Sequence, residues 1–250
     1  MVGAWIGRDI LFSPPLILAG MIGFIVCAFG NIVNDLKDIE IDKINNPKRP
    51  LASGQADKKI ISIIAIFFFV ISVLFSISLG ILPLLLVVGV LVLLSLYAIY
   101  FKRTVWGNVI VALITGLTFI FGGIIVKNPA CIFPFFFSFF IHFAREIVKD
   151  VIDIEGDRTM GVISLPIVMG RERACNLSAL SLGIICILLP LPFILKTLNF
   201  TYMAIVLIGA YPMVIYTILR LLKKPPKDEL MKLSNLIKIS MVVGLIAMVV

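Results

Sequence analysis

Two short segments of this sequence carry the same spacing of three aspartates, Asp-x-x-Asp-x-x-x-Asp. An α-helix turns by about 100° per residue, so offsets of three and seven place all three carboxylates within about 60° of one another. Each segment can therefore present one acidic stripe along a helix. The first stripe is formed by Asp35, Asp38 and Asp42, and the second by Asp150, Asp153 and Asp157.

Three carboxylates on one stripe repel each other, so the arrangement costs free energy unless cations bind to it. Mg²⁺ prefers oxygen ligands, accepts one or two carboxylates together with waters, and commonly bridges to substrate phosphates. Two stripes facing each other would hold metal ions around a diphosphate. The other interpretation is that the stripes are solvated charges beside a membrane. Two copies of one seven-residue spacing favour a site over that interpretation.

Basic side chains lie near both stripes and suit phosphate oxygens as Arg forks or Lys point charges. For any single one of them, the preference of basic loops for the cytoplasmic side of a membrane explains its presence equally well. Only the set indicates anion binding. Its members are Lys48, Arg49, Lys102, Arg103, Arg145, Lys149 and Arg158.

The elements that carry these residues are those of a membrane protein. The chain has 250 residues, is 61% hydrophobic and has a mean hydropathy of +1.15, whereas soluble domains are about 45–50% apolar. A crossing of the hydrocarbon core needs about 20 apolar residues. Eight runs of spanning length fall at about residues 14–33, 60–80, 81–101, 106–126, 129–149, 174–195, 199–221 and 232–250. Residues 1–7 are also apolar and indicate the end of a ninth helix.

Charge segregates strongly between the connecting loops. If the runs alternate in direction, one face receives all of the 22 lysines and arginines except Arg8, Lys127 and Lys196, which predicts that this face is cytoplasmic. The same face receives all of the 14 acidic residues except Asp9. The net charge of +8 is then explained by topology and by binding of phosphates, and nucleic acid is not an expected partner. We expect a multi-pass protein of the cell membrane.

The two stripes also follow a repeat in the topology. Four predicted crossings separate them, and an even number returns the chain to the same side of the membrane. We therefore predict an all-α bundle in which two four-helix halves surround a central cavity, with the site at their interface. Residues 1–250 are expected to form a single membrane-embedded domain.

Other reactive residue types are assigned no chemistry. The cysteines form no close pairs of the kind that a zinc or redox site needs, and packing explains them. His142 could reach the second stripe, but helix packing is the preferred role. The phenylalanines between Phe133 and Phe143 could shield a carbocation, although packing accounts for most of them. The cysteines are Cys27, Cys131, Cys175 and Cys186.

Around the stripes the sequence resembles the UbiA-type superfamily of intramembrane prenyltransferases. The first motif reads Asn34-Asp35-Leu-Lys-Asp38-Ile-Glu-Ile-Asp42, and a family-like Asn-Pro-Lys-Arg-Pro-Leu-Ala-Ser-Gly run follows at residues 46–54. The second motif, at residues 149–158, is followed by Gly161 and by Ser-Leu-Pro at 164–166. The resemblance implies Mg²⁺ as cofactor, with Asn34 and the six aspartates as ligands. Substrate contacts are expected from Asn31, Asn34, Lys48, Arg49, Tyr97, Lys102, Arg145, Lys149 and Arg158.

One element departs from the family pattern. The family has Tyr-x-x-x-Lys in its second cytoplasmic loop, whereas Tyr97 here precedes Lys102 by five positions. Within the superfamily, the residue 46–54 run, Lys102-Arg103 with the following Gly107-Asn108, and the segment from Arg145 to Gly170 most resemble archaeal digeranylgeranylglyceryl phosphate synthases.

This resemblance implies Mg²⁺-dependent transfer of a geranylgeranyl group from its diphosphate to a hydroxyl of geranylgeranylglyceryl phosphate. The reaction forms the second ether bond of archaeal membrane lipids, so the partners are a prenyl diphosphate, a lipid acceptor and membrane lipids. Two alternatives remain open. One is a prenyltransferase with an aromatic acceptor of the quinone, haem or chlorophyll type, and the other is a cation transporter. A transporter would place acidic residues near the bilayer midplane, where the sequence has none.

Overall fold

A computed structural model describes residues 13–250, and this part of the chain is helical apart from short connections. Eight of its helices are long and apolar enough to cross a membrane. The prediction of an all-helical transmembrane protein is confirmed. The apolar residues 1–7, which the sequence predicts to end a further helix, lie outside the described residues.

The helices follow the predicted apolar runs closely. Two of the spanning helices contain a π-helical turn, at Tyr97–Phe101 after α3 and at Val206–Ala210 after α9. A short 3₁₀ turn, Pro129–Cys131, precedes α5. The helices are α1 Pro14–Asn45, α2 Lys58–Ile77, α3 Ile81–Leu96, α4 Gly107–Ile125, α5 Ile132–Thr159, α6 Leu165–Met169, α7 Arg171–Leu188, α8 Leu191–Ile194, α9 Phe200–Ile205, α10 Tyr211–Leu221 and α11 Lys227–Val249.

Helices α1 and α5 are longer than a crossing requires. They have 32 and 28 residues, whereas about 20 residues span a hydrocarbon core of roughly 30 Å. Their apolar runs end near residues 33 and 149, and the helices continue for about three more turns. Both aspartate motifs lie on these polar extensions, so each set of three carboxylates belongs to one continuous helix, as predicted.

The described residues group into two compact units that divide after Lys102. The three-helix unit, residues 13–102, contains α1 to α3. Ile22 of α1 and Leu91 of α3 are fully buried, and the Phe29 ring meets the Phe69 ring edge-on at 5.8 Å. Gly30 permits a close approach, because a Cβ there would lie 2.9 Å from a methyl of Leu94. α1 and α3 therefore touch one turn before the first motif.

The five-helix unit, residues 103–250, holds α5 at its centre. Ala144, Ile147 and Val148 of α5 are completely buried. Two serines of α7 donate hydrogen bonds to carbonyls of α5, Ser178 to Ala144 at 2.9 Å and Ser181 to Phe140 at 2.8 Å. Hydrogen bonds of this kind between helices fix their register inside a membrane. The helix that carries the second motif is thus held firmly by its neighbours.

The helices group as three and five among the described residues, where the sequence predicts four and four. The physical reason is that α4 packs along α5 and so belongs to the second unit. The five-helix unit also contains an apolar pocket of about 80 Å³, lined by α4, α5, α7, α10 and α11. His142 and Ser138 lie on its wall, and the His142 ring nitrogen Nδ1 is 2.8 Å from the Ser138 carbonyl oxygen. His142 thus bonds within its own helix.

Candidate active site

The first acidic stripe lies at the end of α1 and is unevenly exposed. Asp38 and Asp42 are only 8% and 6% exposed, whereas Asp35 is half-exposed. A buried carboxylate that stays ionised needs a cation or several hydrogen-bond donors close by. The surroundings of Asp38 and Asp42 show which groups of the chain supply this cation or these donors.

Lys102 supplies the cation for Asp38. The π-helical turn Tyr97–Phe101 ends α3, and the Lys102 amide donates to the Tyr97 carbonyl at 2.8 Å. Turns of this type are frequent at functional sites. The Lys102 ammonium forms an ion pair with Asp38 and donates to the Asn34 side-chain oxygen at 2.7 Å. The structure therefore places Lys102 against the first motif, while the half-buried Tyr97 starts the turn that directs it there.

Arg49 supplies the cation for the other two carboxylates. The chain reverses directly after α1, because the Asn46 amide donates to the Asp42 carbonyl at 2.8 Å and the Arg49 amide to the Asn46 carbonyl at 2.9 Å. Arg49 Nη1 then lies 2.8 Å from Asp42 Oδ2 and 3.1 Å from Asp35 Oδ1. The hydrogen bond to Asp42, and next its charge, raise the pKa of Arg49, so this guanidinium stays protonated.

Two other predicted substrate contacts lie away from these ion pairs. Lys48 is exposed, and it forms no ion pair with any residue in the described part of the chain. Asn31 is exposed, and its amide nitrogen is 4.0 Å from Cys27 Sγ, one turn earlier on α1. Neither side chain is held by the first stripe, so both remain available to a ligand.

The second acidic stripe lies at the end of α5 and is compensated differently. Asp150 accepts a hydrogen bond from the side-chain amide of Asn108 at 2.8 Å, and Asn108 is buried in the first turn of α4. Asp153 is exposed and Asp157 is half-buried. Past the helix end, Gly161 adopts a positive φ of 66°, which favours glycine. The Val162 amide then donates to the Asp157 carbonyl at 3.0 Å.

Two of the cations predicted around the second stripe, Arg145 and Lys149, form ion pairs with Glu146. Arg145 Nη1 lies 2.6 Å from Glu146 Oε1, and Lys149 Nζ lies 3.9 Å from the other oxygen of Glu146. Arg158 is exposed. Over residues 13–250, no Lys or Arg forms an ion pair with the carboxylates of the second stripe.

Sequence reasoning missed two residues of this region, Asn108 and Glu146. The signal for Asn108 is a single amide side chain at the start of an apolar helix, in a position where packing alone would select an apolar residue. The signal for Glu146 is a carboxylate between two basic residues on one face of a helix.

The donor atoms in both stripes fit a hard divalent cation. Carboxylate and amide oxygens are the ligands that Mg²⁺ takes from proteins, and one or two carboxylates are enough when waters and substrate phosphates complete the shell. Within the described residues, no three Asp, Glu, His or Cys side chains converge closely enough to hold a metal ion on their own. The arrangement therefore suits a metal whose coordination a phosphate-bearing ligand completes.

The model of the UbiA prenyltransferase family matches residues 1–240 of this chain. The chain belongs to the UbiA prenyltransferase family. It is accordingly a prenyltransferase and, with its eight apolar helices among the described residues, a multi-pass integral membrane protein. The resemblance read from the two aspartate motifs is confirmed.

Within the UbiA family, the chain is similar to archaeal relatives that share one name. A digeranylgeranylglyceryl phosphate synthase from Methanocaldococcus jannaschii is 38% identical over 245 residues, which covers 97% of this chain and 84% of that protein. The synthase of the same name from Methanosphaera stadtmanae is 33% identical over 238 residues, covering 94% of this chain and 87% of that protein. The chain thus resembles these synthases over more than four fifths of their length.

Solved structures agree with the fold. A structure of a digeranylgeranylglyceryl phosphate synthase matches with a TM-score of 0.89 at 35% identity and covers 99% of this chain and 89% of the other. A UbiA homologue from Archaeoglobus fulgidus, solved with GPP and Mg²⁺, matches with a TM-score of 0.67 at 18% identity, over 100% of this chain and 93% of that one. At that identity the second match supports the fold alone.

Proposed function

We propose that this UbiA-family chain transfers a geranylgeranyl group from geranylgeranyl diphosphate to the free hydroxyl of geranylgeranylglyceryl phosphate, with Mg²⁺ as cofactor. The relatives that cover almost the entire chain at 33–38% identity are named for this activity. Residues 1–250 act as one catalytic domain in the cell membrane, with both aspartate motifs on the cytoplasmic side.

The observation that carries the proposal is the first stripe. Three aspartates of α1 meet a lysine from the end of α3 and an arginine from the segment after α1. Acidic and basic groups thus alternate over a few ångströms on the polar extension of a membrane helix. Such a surface offers oxygen ligands to a metal and donors to phosphate oxygens at the same place.

The reaction breaks the bond between C1 of the prenyl group and the diphosphate oxygen, and it forms an ether bond from C1 to the acceptor oxygen. The acceptor loses its hydroxyl proton and inorganic diphosphate leaves. Bound Mg²⁺ neutralises charge on the leaving group. The aspartates would hold the metal at the diphosphate, while basic side chains beside the stripes donate to the diphosphate oxygens as negative charge develops. The apolar helices exclude water that would otherwise capture the allylic cation.

The acceptor carries its own phosphate, which needs further cations. Lys48, Arg49 and Lys102 are the proposed groups, because all three belong to the polar end of the three-helix unit and two of them are seen there against carboxylates. The alternative of a cation transporter is not supported, because family membership favours prenyl transfer.

Purified protein tests this assignment directly. Geranylgeranyl diphosphate would be offered with geranylgeranylglyceryl phosphate, with its dephosphorylated ether and with an aromatic acid such as 4-hydroxybenzoate, each with Mg²⁺ or excess chelator. We expect product from the phosphorylated acceptor alone at low concentration, with a strongly raised KM for the dephosphorylated ether. Equal use of the uncharged ether, or a preference for the aromatic acid, would remove the glyceryl phosphate assignment. Full activity in chelator would remove Mg²⁺ from it.

The proposed orientation has its own test. Glu40→Cys and Glu155→Cys place single thiols at exposed positions inside the two motifs. In a background without the four native cysteines, a membrane-impermeant maleimide should label both positions only when the cytoplasmic side is open. Labelling of the two positions from opposite sides contradicts the proposed topology.

A further inference from the structure

We propose that Lys102 and Arg49 are built-in counter-ions that compete with the divalent cation for the first stripe until a phosphate-bearing ligand draws them away. This inference rests on the proposed function, because it assigns a regulatory role to residues of the same site. The first stripe resists metal alone and accepts metal together with phosphate.

The geometry assigns each carboxylate of the first stripe to a cation of the chain. Lys102 pairs with Asp38, while Arg49 lies 2.8 Å from Asp42 and 3.1 Å from Asp35. Lys102 also donates to Asn34, so one ammonium occupies two of the four oxygen-bearing side chains predicted as ligands here. A divalent cation needs the lone pairs that these donors already use.

Burial makes this competition effective. Asp38 and Asp42 are under 10% exposed, so water compensates their charge poorly and the ion pairs with the chain do so instead. A metal that binds there alone must either displace a cation or remain beside it, and like charges a few ångströms apart repel each other strongly outside bulk water. Lys102 and Arg49 therefore lower the affinity of the stripe for metal.

A bound phosphate reverses the effect of Lys102 and Arg49 on the affinity of the stripe for metal. Both cations are good donors to phosphate oxygens, and the planar guanidinium can bind two of them at once. When a phosphate arrives with the metal, the cations exchange carboxylate oxygens for phosphate oxygens and the metal takes the vacated carboxylates. No Lys or Arg in the described part of the chain forms an ion pair with the second stripe, so we expect metal alone to bind there more readily.

The test measures metal binding without catalysis. Mn²⁺ alone would be added to the detergent-solubilised full-length chain and free Mn²⁺ counted by electron paramagnetic resonance. Lys102→Met should raise the affinity for Mn²⁺ about tenfold, since it removes one competing charge in contact with a ligand. Lys43→Met is the matched control, because Lys43 pairs with Glu40 outside the stripe. The gain should vanish in an Asp38→Asn background, which assigns it to the first stripe.

The second arm measures the opposite effect of the same substitution. Lys102→Met should weaken Mn²⁺-dependent binding of inorganic pyrophosphate or of glycerol phosphate at least tenfold, and Lys102→Arg should restore much of it. Loss for pyrophosphate alone identifies the leaving group as the displacing ligand, and loss for glycerol phosphate alone identifies the acceptor. Either result supports the exchange.

Arg49→Gln provides an independent variant, because Arg49 is exposed and lies outside the helices. If Mn²⁺ affinity is unchanged or lowered in both Lys102→Met and Arg49→Gln, the counter-ion role is wrong. The outcome is separate from the proposed function. A chain that shows these opposite shifts but does not use geranylgeranylglyceryl phosphate keeps the counter-ion role and loses only the acceptor.

Discussion

The two acidic helices carry one spacing but are compensated by different means. At the end of α1, every carboxylate of the motif meets a Lys or Arg of the chain, and two of the three are buried. At the end of α5, Asp150 accepts one hydrogen bond from the neutral side-chain amide of Asn108. The neighbouring Arg145 and Lys149 form ion pairs with Glu146. Identical motif spacing therefore does not imply an identical electrostatic state.

The difference has a structural origin. The turn after α1 brings Arg49 back onto the stripe within seven residues of Asp42, and the π-helical turn after α3 delivers Lys102. On α5, Glu146 lies one turn before the motif and forms ion pairs with Arg145 and Lys149. The carboxylates of the first stripe are thus paired with cations of the chain, whereas in the described residues no Lys or Arg forms an ion pair with the second stripe.

The largest expected effect is loss of turnover in either motif. Asp38→Ala and Asp157→Ala should each lower kcat by a factor of about 100 or more, because each removes charge that a departing diphosphate requires through its metal. Glu40→Ala is the control, since Glu40 is exposed on the same helix and pairs with Lys43. Steady-state rates with a fixed acceptor measure this. Near-normal turnover of either aspartate variant would place that stripe outside the chemistry.

Asn108 is expected to act as a positioning residue for the second stripe. Asn108→Ala removes the 2.8 Å hydrogen bond to Asp150 and should lower kcat about tenfold with a smaller change in KM for the diphosphate. Weaker Mn²⁺ binding in the same variant would distinguish a misplaced ligand from a general loss of packing. Unchanged Mn²⁺ affinity and unchanged kcat would show that Asp150 needs no partner, which would sharpen the contrast with Asp38.

The stripes should also differ in their contribution to stability. Asp38→Asn leaves the half-buried Lys102 without its carboxylate and should lower the free energy of unfolding by about 1–2 kcal/mol. Asp153→Asn, at an exposed position, should change it by less than about 0.5 kcal/mol. Unfolding in mixed micelles of increasing SDS, followed by circular dichroism without metal, gives both values. Equal losses would mean that the ion pairs of α1 add nothing to the fold.

The smallest effect concerns the support of α5. Ser178→Ala removes the hydrogen bond from α7 to the Ala144 carbonyl and should cost about 0.6 kcal/mol, the typical strength of such bonds between membrane helices. The same unfolding measurement applies, with Ser62→Ala as control, because Ser62 donates to the Lys58 carbonyl within α2. A loss in turnover much larger than the loss in stability would show that α5 must be positioned finely for the second stripe to work.

Much of the fold can be predicted from the sequence for a simple reason. In a membrane, each spanning segment must satisfy its backbone hydrogen bonds internally and be apolar, so eight apolar runs predict eight helices. The spacing of the aspartates likewise places each triad on one helix, because helical periodicity is local. The family resemblance follows from the same motifs. The role of each site residue, by contrast, remains a prediction until variants are measured.

The sequence by itself therefore determined the helices, the two stripes and the class of chemistry. Only the tertiary structure decided which cation meets which carboxylate. Lys102 lies 64 residues from Asp38, and Asn108 lies 42 residues from Asp150. Such pairs depend on how neighbouring helices rotate and approach, as at Gly30 and Leu94, and on turns that redirect a few residues. No local periodicity encodes those distances, because they arise from packing between segments that are far apart in the chain.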